Sequence, residues 1–236
     1  LFFLLKKKIT ENFYFNKKIL DLKFAYKENI KKFELLNKLF NVSKNNYVDL
    51  RIEYSNIYEK SLKKYENCPV PMGGESNLNL LFNITINLKP KQIIETGVAY
   101  GWSSLAFLMA IKYNNNGKLV SVDMPYPALN NEKYVGHVIP NELKKNWSLI
   151  RMADIDGIPN AINKYKNFDL CHYDSDKSYQ GRMNSYPILW KSLNKNGIFI
   201  SDDISDNRAF RDFLMQIKRK PFIIKYKKQL LGIVIK

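Results

Sequence analysis

Hydrophobic and polar positions change rhythm once along this chain, near residue 70. From about residue 17 to residue 66, apolar residues recur at helical spacing, as in Ile19, Leu22, Leu35, Leu36, Leu39 and Phe40, with Lys, Glu and Asn between them. That spacing predicts an α-helical preface. The breaker cluster Cys68-Pro-Val-Pro-Met-Gly-Gly74 marks a boundary, and a helix from Glu75 to about Leu88 leads into the main domain. After Lys89-Pro90 the pattern becomes short β-rich runs separated by helical stretches, as a parallel sheet with crossover helices requires. Strands are predicted at Gln92 to Thr96, Leu119 to Asp123, Ser148 to Met152, Asp169 to Asp174, Ile198 to Asp202, Phe222 to Tyr226 and Leu231 to Ile235. Only Lys227 to Leu230 separate the last two strands, too few residues for a helical crossover, so these strands should form an antiparallel hairpin. The expected fold is therefore α/β: a doubly wound seven-stranded sheet with an antiparallel last strand over residues 72–236, behind a helical N-terminal extension over residues 1–71.

The chain has 236 residues, 45% hydrophobic and 14% aromatic, enough apolar material for one large core. Its formal charge of +16 raises the question of a polyanion partner. The charge is spread, however: residues 1–66 carry a net +7 and the rest +9, and only 6 of the 38 basic residues are Arg. Arg is the residue suited to bidentate phosphate recognition, so a Lys-dominated surface disfavours a nucleic-acid groove. Cys68 and Cys171 lie far apart without metal-type spacing, which fits a reducing, cytoplasmic setting. Leu1 to Leu5 followed by Lys6, Lys7 and Lys8 has too few apolar residues for a membrane span and the wrong order for a signal peptide.

Ile93-Ile-Glu-Thr-Gly-Val-Ala-Tyr-Gly-Trp-Ser-Ser104 runs from a buried strand through a glycine-containing turn into an apolar helix, Leu105 to Ile111, with Ser103 expected as its N-cap. Ligands of doubly wound sheets bind at such carboxyl-end turns, where glycines let the backbone approach closely and a helix N-terminus offers free N–H groups. The third glycine of the dinucleotide fingerprint is missing. Instead Glu95 stands two residues before Gly97, and Asp123 closes the next strand, where a carboxylate can accept both hydroxyls of a ribose. Each feature alone also reads as an ordinary turn or a solvated strand end. In this order they point to a nucleoside-containing cofactor.

Glu95 to Gly101 with Asp123 resembles motifs I and II of the class I S-adenosylmethionine-dependent methyltransferases, whose fold is Rossmann-like. The resemblance implies S-adenosyl-L-methionine as cofactor, with Gly97 and Gly101 facing its methionine part, Glu95 and Ser103 in the same site, and Asp123 on the ribose. Asp154, in Arg151-Met-Ala-Asp154, stands where the family often contacts the adenine; a helix-capping or loop acid is the other reading of that residue.

A second polar concentration follows the fourth and fifth strands. Asp174-Ser-Asp-Lys177 and Ser201-Asp-Asp-Ile204 bring Asp174, Asp202 and Asp203 to adjacent strand ends, and three carboxylates that close need a cation, a basic side chain or a proton between them. One solution is Mg²⁺ or a similar divalent cation, with Lys177 as a base towards an acceptor hydroxyl. The other is a salt-bridged turn in which Lys177 neutralises its neighbours. The arrangement is similar to the metal-dependent O-methyltransferases of the catechol and caffeoyl-coenzyme A type, in which an Asp and an Asp-Asn pair hold the metal and a Lys three residues past the first Asp is the base. Here Asp203 replaces the Asn, as in the macrolide-sugar O-methyltransferases. Asp174 to Tyr179, Ser201 to Ile204 and Asn207-Arg-Ala-Phe210 resemble the methyltransferase-domain family numbered 24, over roughly residues 72–236.

These resemblances imply metal-assisted O-methylation of a small molecule or sugar, with Asp174 and Lys177 catalytic and Asp174, Asp202 and Asp203 as metal ligands. Two other readings stay open: an RNA or protein acceptor served by the basic surface, and a non-catalytic cofactor-binding domain. His172, in mid-strand, is expected to pack in the core, and His137 to lie on a loop. The helical preface offers a surface for a homo-oligomer.

Overall fold

The computed structural model describes residue 24 and residues 30–124, 130–227 and 229–236. Most of the predicted helix before residue 30 and the first part of the loop at Pro125 to Pro140 lie outside the described residues. The preface contains α1 (Lys32–Phe40), α2 (Leu50–Glu53) and α3 (Ser55–Glu66). Then follow α4 (Leu78–Leu88), β1 (Gln92–Thr96), α5 (Trp102–Asn114), β2 (Lys118–Asp123), β3 (Trp147–Arg151), α6 (Asp154–Tyr165), β4 (Phe168–Tyr173), α7 (Tyr179–Ser192), β5 (Leu193–Ser201), α8 (Ala209–Ile217), β6 (Phe222–Tyr226) and β7 (Gln229–Ile235).

The seven strands form one sheet in the order β3-β2-β1-β4-β5-β7-β6. β1 to β5 pair in parallel, and β7 runs antiparallel to both β5 and β6, as the short connection at Lys227 to Leu230 predicts. β5 begins earlier than its apolar run suggests, because Leu193 pairs with Phe168 across an irregularity in the register. α5 is longer at both ends than Leu105 to Ile111, and α4 starts at Leu78 rather than Glu75.

Successive side chains of a strand point to opposite faces, and this alternation divides the apolar residues into two cores. Ile93, Leu119, Leu170, Ile198 and Ile233 pack with α4, α5 and the preface residues Leu35, Leu36 and Leu50. Ile94, Val120, Cys171, Phe199 and Val234 pack with α6, α7 and α8 through Ile158, Tyr186 and Phe213. The first face continues towards the carboxyl ends of the strands as Glu95, Ser121, His172, Asp174 and Asp202. One side of the sheet therefore turns from oily to acidic at its upper edge. Among the described residues no helix is long and apolar enough to cross a membrane.

Polar side chains stitch the preface to α4. Buried Asn83 accepts the N–H of Val48 at 3.1 Å and donates to the carbonyls of Val48 and Asn79, each at 2.7 Å. Ser61, also buried, donates to the Val138 carbonyl at 2.8 Å. Asn83→Ala removes both partners of the Val48 peptide and should cost about 1–3 kcal/mol. Urea unfolding followed by circular dichroism should show a lower midpoint with an unchanged slope.

Candidate active site

The turn after β1 is fixed by its neighbours. The Gly97 N–H donates to the Val122 carbonyl at 2.8 Å, and the Asp174 N–H donates to the Thr96 carbonyl at 2.9 Å, so the turn is tied to β2 on one side and β4 on the other. Gly97 has φ 78°, and a Cβ there would collide with the Asp174 carbonyl. Gly101 has φ 91° and is the capping residue of α5; a Cβ on it would lie 2.9 Å from the Gly136 Cα. Both positions need glycine for its left-handed backbone and for close approach.

Ser103 is not the N-cap that its position in the sequence suggests. It lies inside α5, and its hydroxyl turns down to Glu95 at 2.6 Å. Ser104 and Ser121 donate to the same carboxylate at 2.5 and 2.7 Å, and Trp147 donates to Ser121 at 2.9 Å. Glu95 is thus wholly buried with both oxygens occupied. Expected from the sequence among the cofactor contacts, it braces the loop from beneath and does not line the cavity above, because a buried carboxylate needs donors and three hydroxyls supply them. Gly101 likewise shapes the loop without lining the cavity, whereas Gly97 and Ser103 line it.

Asp123 ends β2 facing the cavity. Burial pushes its carboxyl up to about 6, against the downward pull of Arg151 and the Val98 N–H. Arg151, at the end of β3, holds Asp123 Oδ2 at 2.8 Å and grips Glu132 with two further bonds of 2.6 and 2.5 Å. It ties the loop after β2 to the sheet. The sequence offered one sign of this role: a rare Arg in a Lys-rich chain, three residues before Asp154. Asp154 is the first residue of α6; the Ser175 hydroxyl lies 2.5 Å from its carboxylate and 2.9 Å from Thr96 Oγ1. Burial raises the Asp154 carboxyl above its ordinary value, and this residue also lines the cavity.

Asp174 leaves β4, and Asp202 and Asp203 leave β5. The Lys177 ammonium sits between two of them, bonded to Asp174 Oδ1 and, at 2.7 Å, to Asp203 Oδ2. Burial alone would lower the lysine, but the two carboxylates outweigh it and hold Lys177 above the ordinary lysine value. Asp202 is buried, accepts the Asp203 N–H at 2.9 Å, and is pushed up to about 7 by burial and by the charge of Asp174. Among the described residues no group of three His, Cys, Asp or Glu side chains is placed to hold a metal ion. The Mg²⁺ expected from the sequence does not fit this arrangement, because the lysine already fills the space between Asp174 and Asp203.

Arg182, fully buried on α7, supports the cluster from behind by donating to the backbone carbonyls of Asp203 at 3.0 Å and Asp202 at 3.3 Å. The sequence gives no sign of it, since this helix lacks a clear apolar stripe and nothing along it marks an inward-facing Arg. His172 is a packed core residue as expected, edge-on to Phe107 and 3.8 Å from Glu95. His137 stacks edge-on against Tyr134 outside the cavity.

One cavity of about 1390 Å³ joins these parts. The loop at Gly97, the acids Asp123 and Asp154, the cluster around Lys177, the preface segment 71–76 and the hairpin residues Lys227 and Gln229 all line it. Three buried polar atoms on lining residues have no hydrogen-bond partner among the described residues: Ser76 Oγ, Trp102 Nε1 and Asn131 Oδ1. Buried polar atoms are normally paired, so these three leave hydrogen-bonding capacity open at the cavity wall.

Residues 94–204 match the model of a family described as a methyltransferase domain. No curated protein matches the chain by sequence. Among solved structures, an O-methyltransferase from Bacillus cereus in complex with SAH superposes with a TM-score of 0.61 at 15% identity, covering 77% of this chain and 91% of that one. The O-methyltransferase TomG from Streptomyces achromogenes, involved in tomaymycin synthesis and solved with SAM, gives 0.58 at 11% identity, covering 83% and 99%. CalS11, a TDP-rhamnose 3'-O-methyltransferase of calicheamicin biosynthesis, gives 0.55 at 15% identity, covering 82% and 99%. With its strand order and its glycine turn at β1, this chain has the Rossmann-like methyltransferase fold, and its residues 94–204 are similar to a methyltransferase domain.

Proposed function

We propose that this protein transfers the methyl group of S-adenosylmethionine to a hydroxyl oxygen of a small molecule or sugar. The observation that carries the reading is the continuity of the cavity, which has the glycine loop and the lysine–carboxylate cluster on the walls of one cleft. Similar solved structures include a sugar O-methyltransferase and enzymes holding SAM or SAH.

When bound, S-adenosylmethionine supplies a methyl group activated by its sulfonium, so the protein has to orient an acceptor and manage one proton. The residues present fit such a cofactor. Asp123 offers a carboxylate to the ribose, and the unpaired Ser76, Trp102 and Asn131 offer one donor–acceptor, one donor and one acceptor. Tyr100, whose hydroxyl donates to the Val70 carbonyl at 2.5 Å, ties the segment before α4 to the glycine loop.

As a methyl–oxygen bond forms and the methyl–sulfur bond breaks, the acceptor hydroxyl loses its proton. The sequence reading gave that proton to Lys177. Held between two carboxylates, Lys177 keeps its own proton at neutral pH and serves as a donor instead. Asp202, raised to about 7, is the carboxylate in this cluster matched to proton exchange near neutrality. No step is assigned to a metal.

Two outcomes test the reading. Asp123 faces Arg151 from β3 and Glu95 from β1, and it is ionised above about 6 and neutral below. Cofactor affinity measured by calorimetry between about pH 5 and about pH 8 should therefore be flat at the upper end and fall by up to roughly tenfold per unit below about 6. Asp123→Ala should weaken binding by roughly tenfold to a hundredfold at the upper end of that range and lose the pH dependence, so that the two proteins converge below about 6. In a screen with methyl-labelled cofactor, label should enter hydroxyl-bearing small molecules or sugars as ethers; label that enters only RNA or protein would overturn the acceptor assignment.

A further inference from the structure

Carboxylates from two adjacent strand ends meet at this site, and such a group is stable only with positive charge among them. The charge present is covalently attached. Lys177 Nζ bonds Asp174 on one side and Asp203 on the other. The backbone that presents it is held from three directions. Asn207 donates to the Lys177 carbonyl at 2.7 Å, Asp176 accepts the Ser178 N–H at 2.8 Å, and the Ser178 hydroxyl caps α7 by accepting the Gly181 N–H at 2.9 Å. The opposite wall is held by Arg182, through the carbonyls of Asp202 and Asp203. An ammonium has three N–H groups. Two are used on carboxylates, and Lys177 lines the cavity, so one remains for a group inside it.

We propose that Lys177 is the built-in cation of the acceptor site: its ammonium takes the position between Asp174 and Asp203 that a divalent metal would need, and its third N–H binds the acceptor oxygen. The role as acceptor donor rests on the methyltransferase reading; the occupancy of the cation position does not. A tethered cation holds the carboxylates apart without drawing a metal from solution. It also makes a single directed contact, where a metal ion offers several coordination positions.

The test is a Mn²⁺ titration of the full chain followed by the paramagnetic resonance signal of the free ion. The wild-type protein should leave that signal unchanged. Lys177→Ala exposes three carboxylates to solvent cations and should take up Mn²⁺ stoichiometrically. Adding Asp174→Asn should abolish the uptake, since it removes the carboxylate contributed by the end of β4 and leaves only the pair after β5. Stoichiometric uptake by the wild type that is lost in Asp174→Asn would overturn the proposal, and so would a folded Lys177→Ala protein that takes up none. If Lys177→Ala fails to fold, Lys177→Gln, which keeps most of the side-chain length, carries the same expectations. Calorimetry with S-adenosylmethionine on the same samples separates the two levels: absent cofactor binding defeats the methyltransferase reading, while the Mn²⁺ results still decide what occupies the cation position.

Discussion

Gly97 lies so close to the Asp174 carbonyl that no side chain fits between them, and the rest of the site depends on this contact. It joins the turn after β1 to the turn after β4, two segments separated by nearly half of the domain in sequence. The contact exists because β1 and β4 are neighbours at the centre of the sheet, where the strand order reverses direction. From β1 the chain winds outward through β2 and β3, then returns to start again at β4. Turns on either side of such a switch point part company, leaving a crevice above the strand ends. The glycine loop forms one wall of that crevice and the carboxylates of β4 and β5 form the other. A methyl at position 97 would push apart the two walls that must face each other.

The acids at this edge are stabilised in different ways, and the differences assign their work. Glu95 accepts from three hydroxyls and faces no solvent, which makes it a support for the loop. Asp123 has a guanidinium on one oxygen and a place on the cavity wall, so part of its accepting capacity is left for a ligand. Asp174 and Asp203 share an ammonium. Asp202, deepest of the three after β5 and β4 and without a direct cation, is the one whose charge is hardest to maintain. The identity of the partner, whether hydroxyls, a guanidinium, an ammonium or no direct cation, is what distinguishes these carboxylates from one another.

The preface completes the crevice. Tyr65 on α3 meets Tyr100 edge-on at 5.0 Å and Trp102 at 5.6 Å, so α3 packs on the back of the glycine loop. Arg51 and Tyr58 hold Glu75 at 3.0 Å, fixing the segment that brings Ser76 to the cavity. Helices preceding the sheet thus shape the side of the cavity that the strands do not reach.

The amino-acid sequence by itself determined the elements and the placing of the chemistry along them. Periodicity is local: alternating and helical spacings state which residues form strands and helices, and the short link after Tyr226 allows only a hairpin. The glycines at 97 and 101 and the acids at strand ends were legible for the same reason, since a turn between a parallel strand and a helix falls on the ligand-binding edge. What each acid touches was not legible. The partners of Glu95, Asp123 and Asp203 come from other strands and helices, and only the order of strands in the sheet brings Ser121 beside Glu95, Arg151 beside Asp123 and Lys177 beside Asp203. Buried Arg182 stayed hidden in an ordinary-looking helix because its partners are backbone carbonyls, which every residue has. Tertiary structure therefore decided which carboxylate faces the cavity, which braces the loop and which cation stands among the acids, because burial and hydrogen bonding depend on neighbours that the linear chain keeps apart.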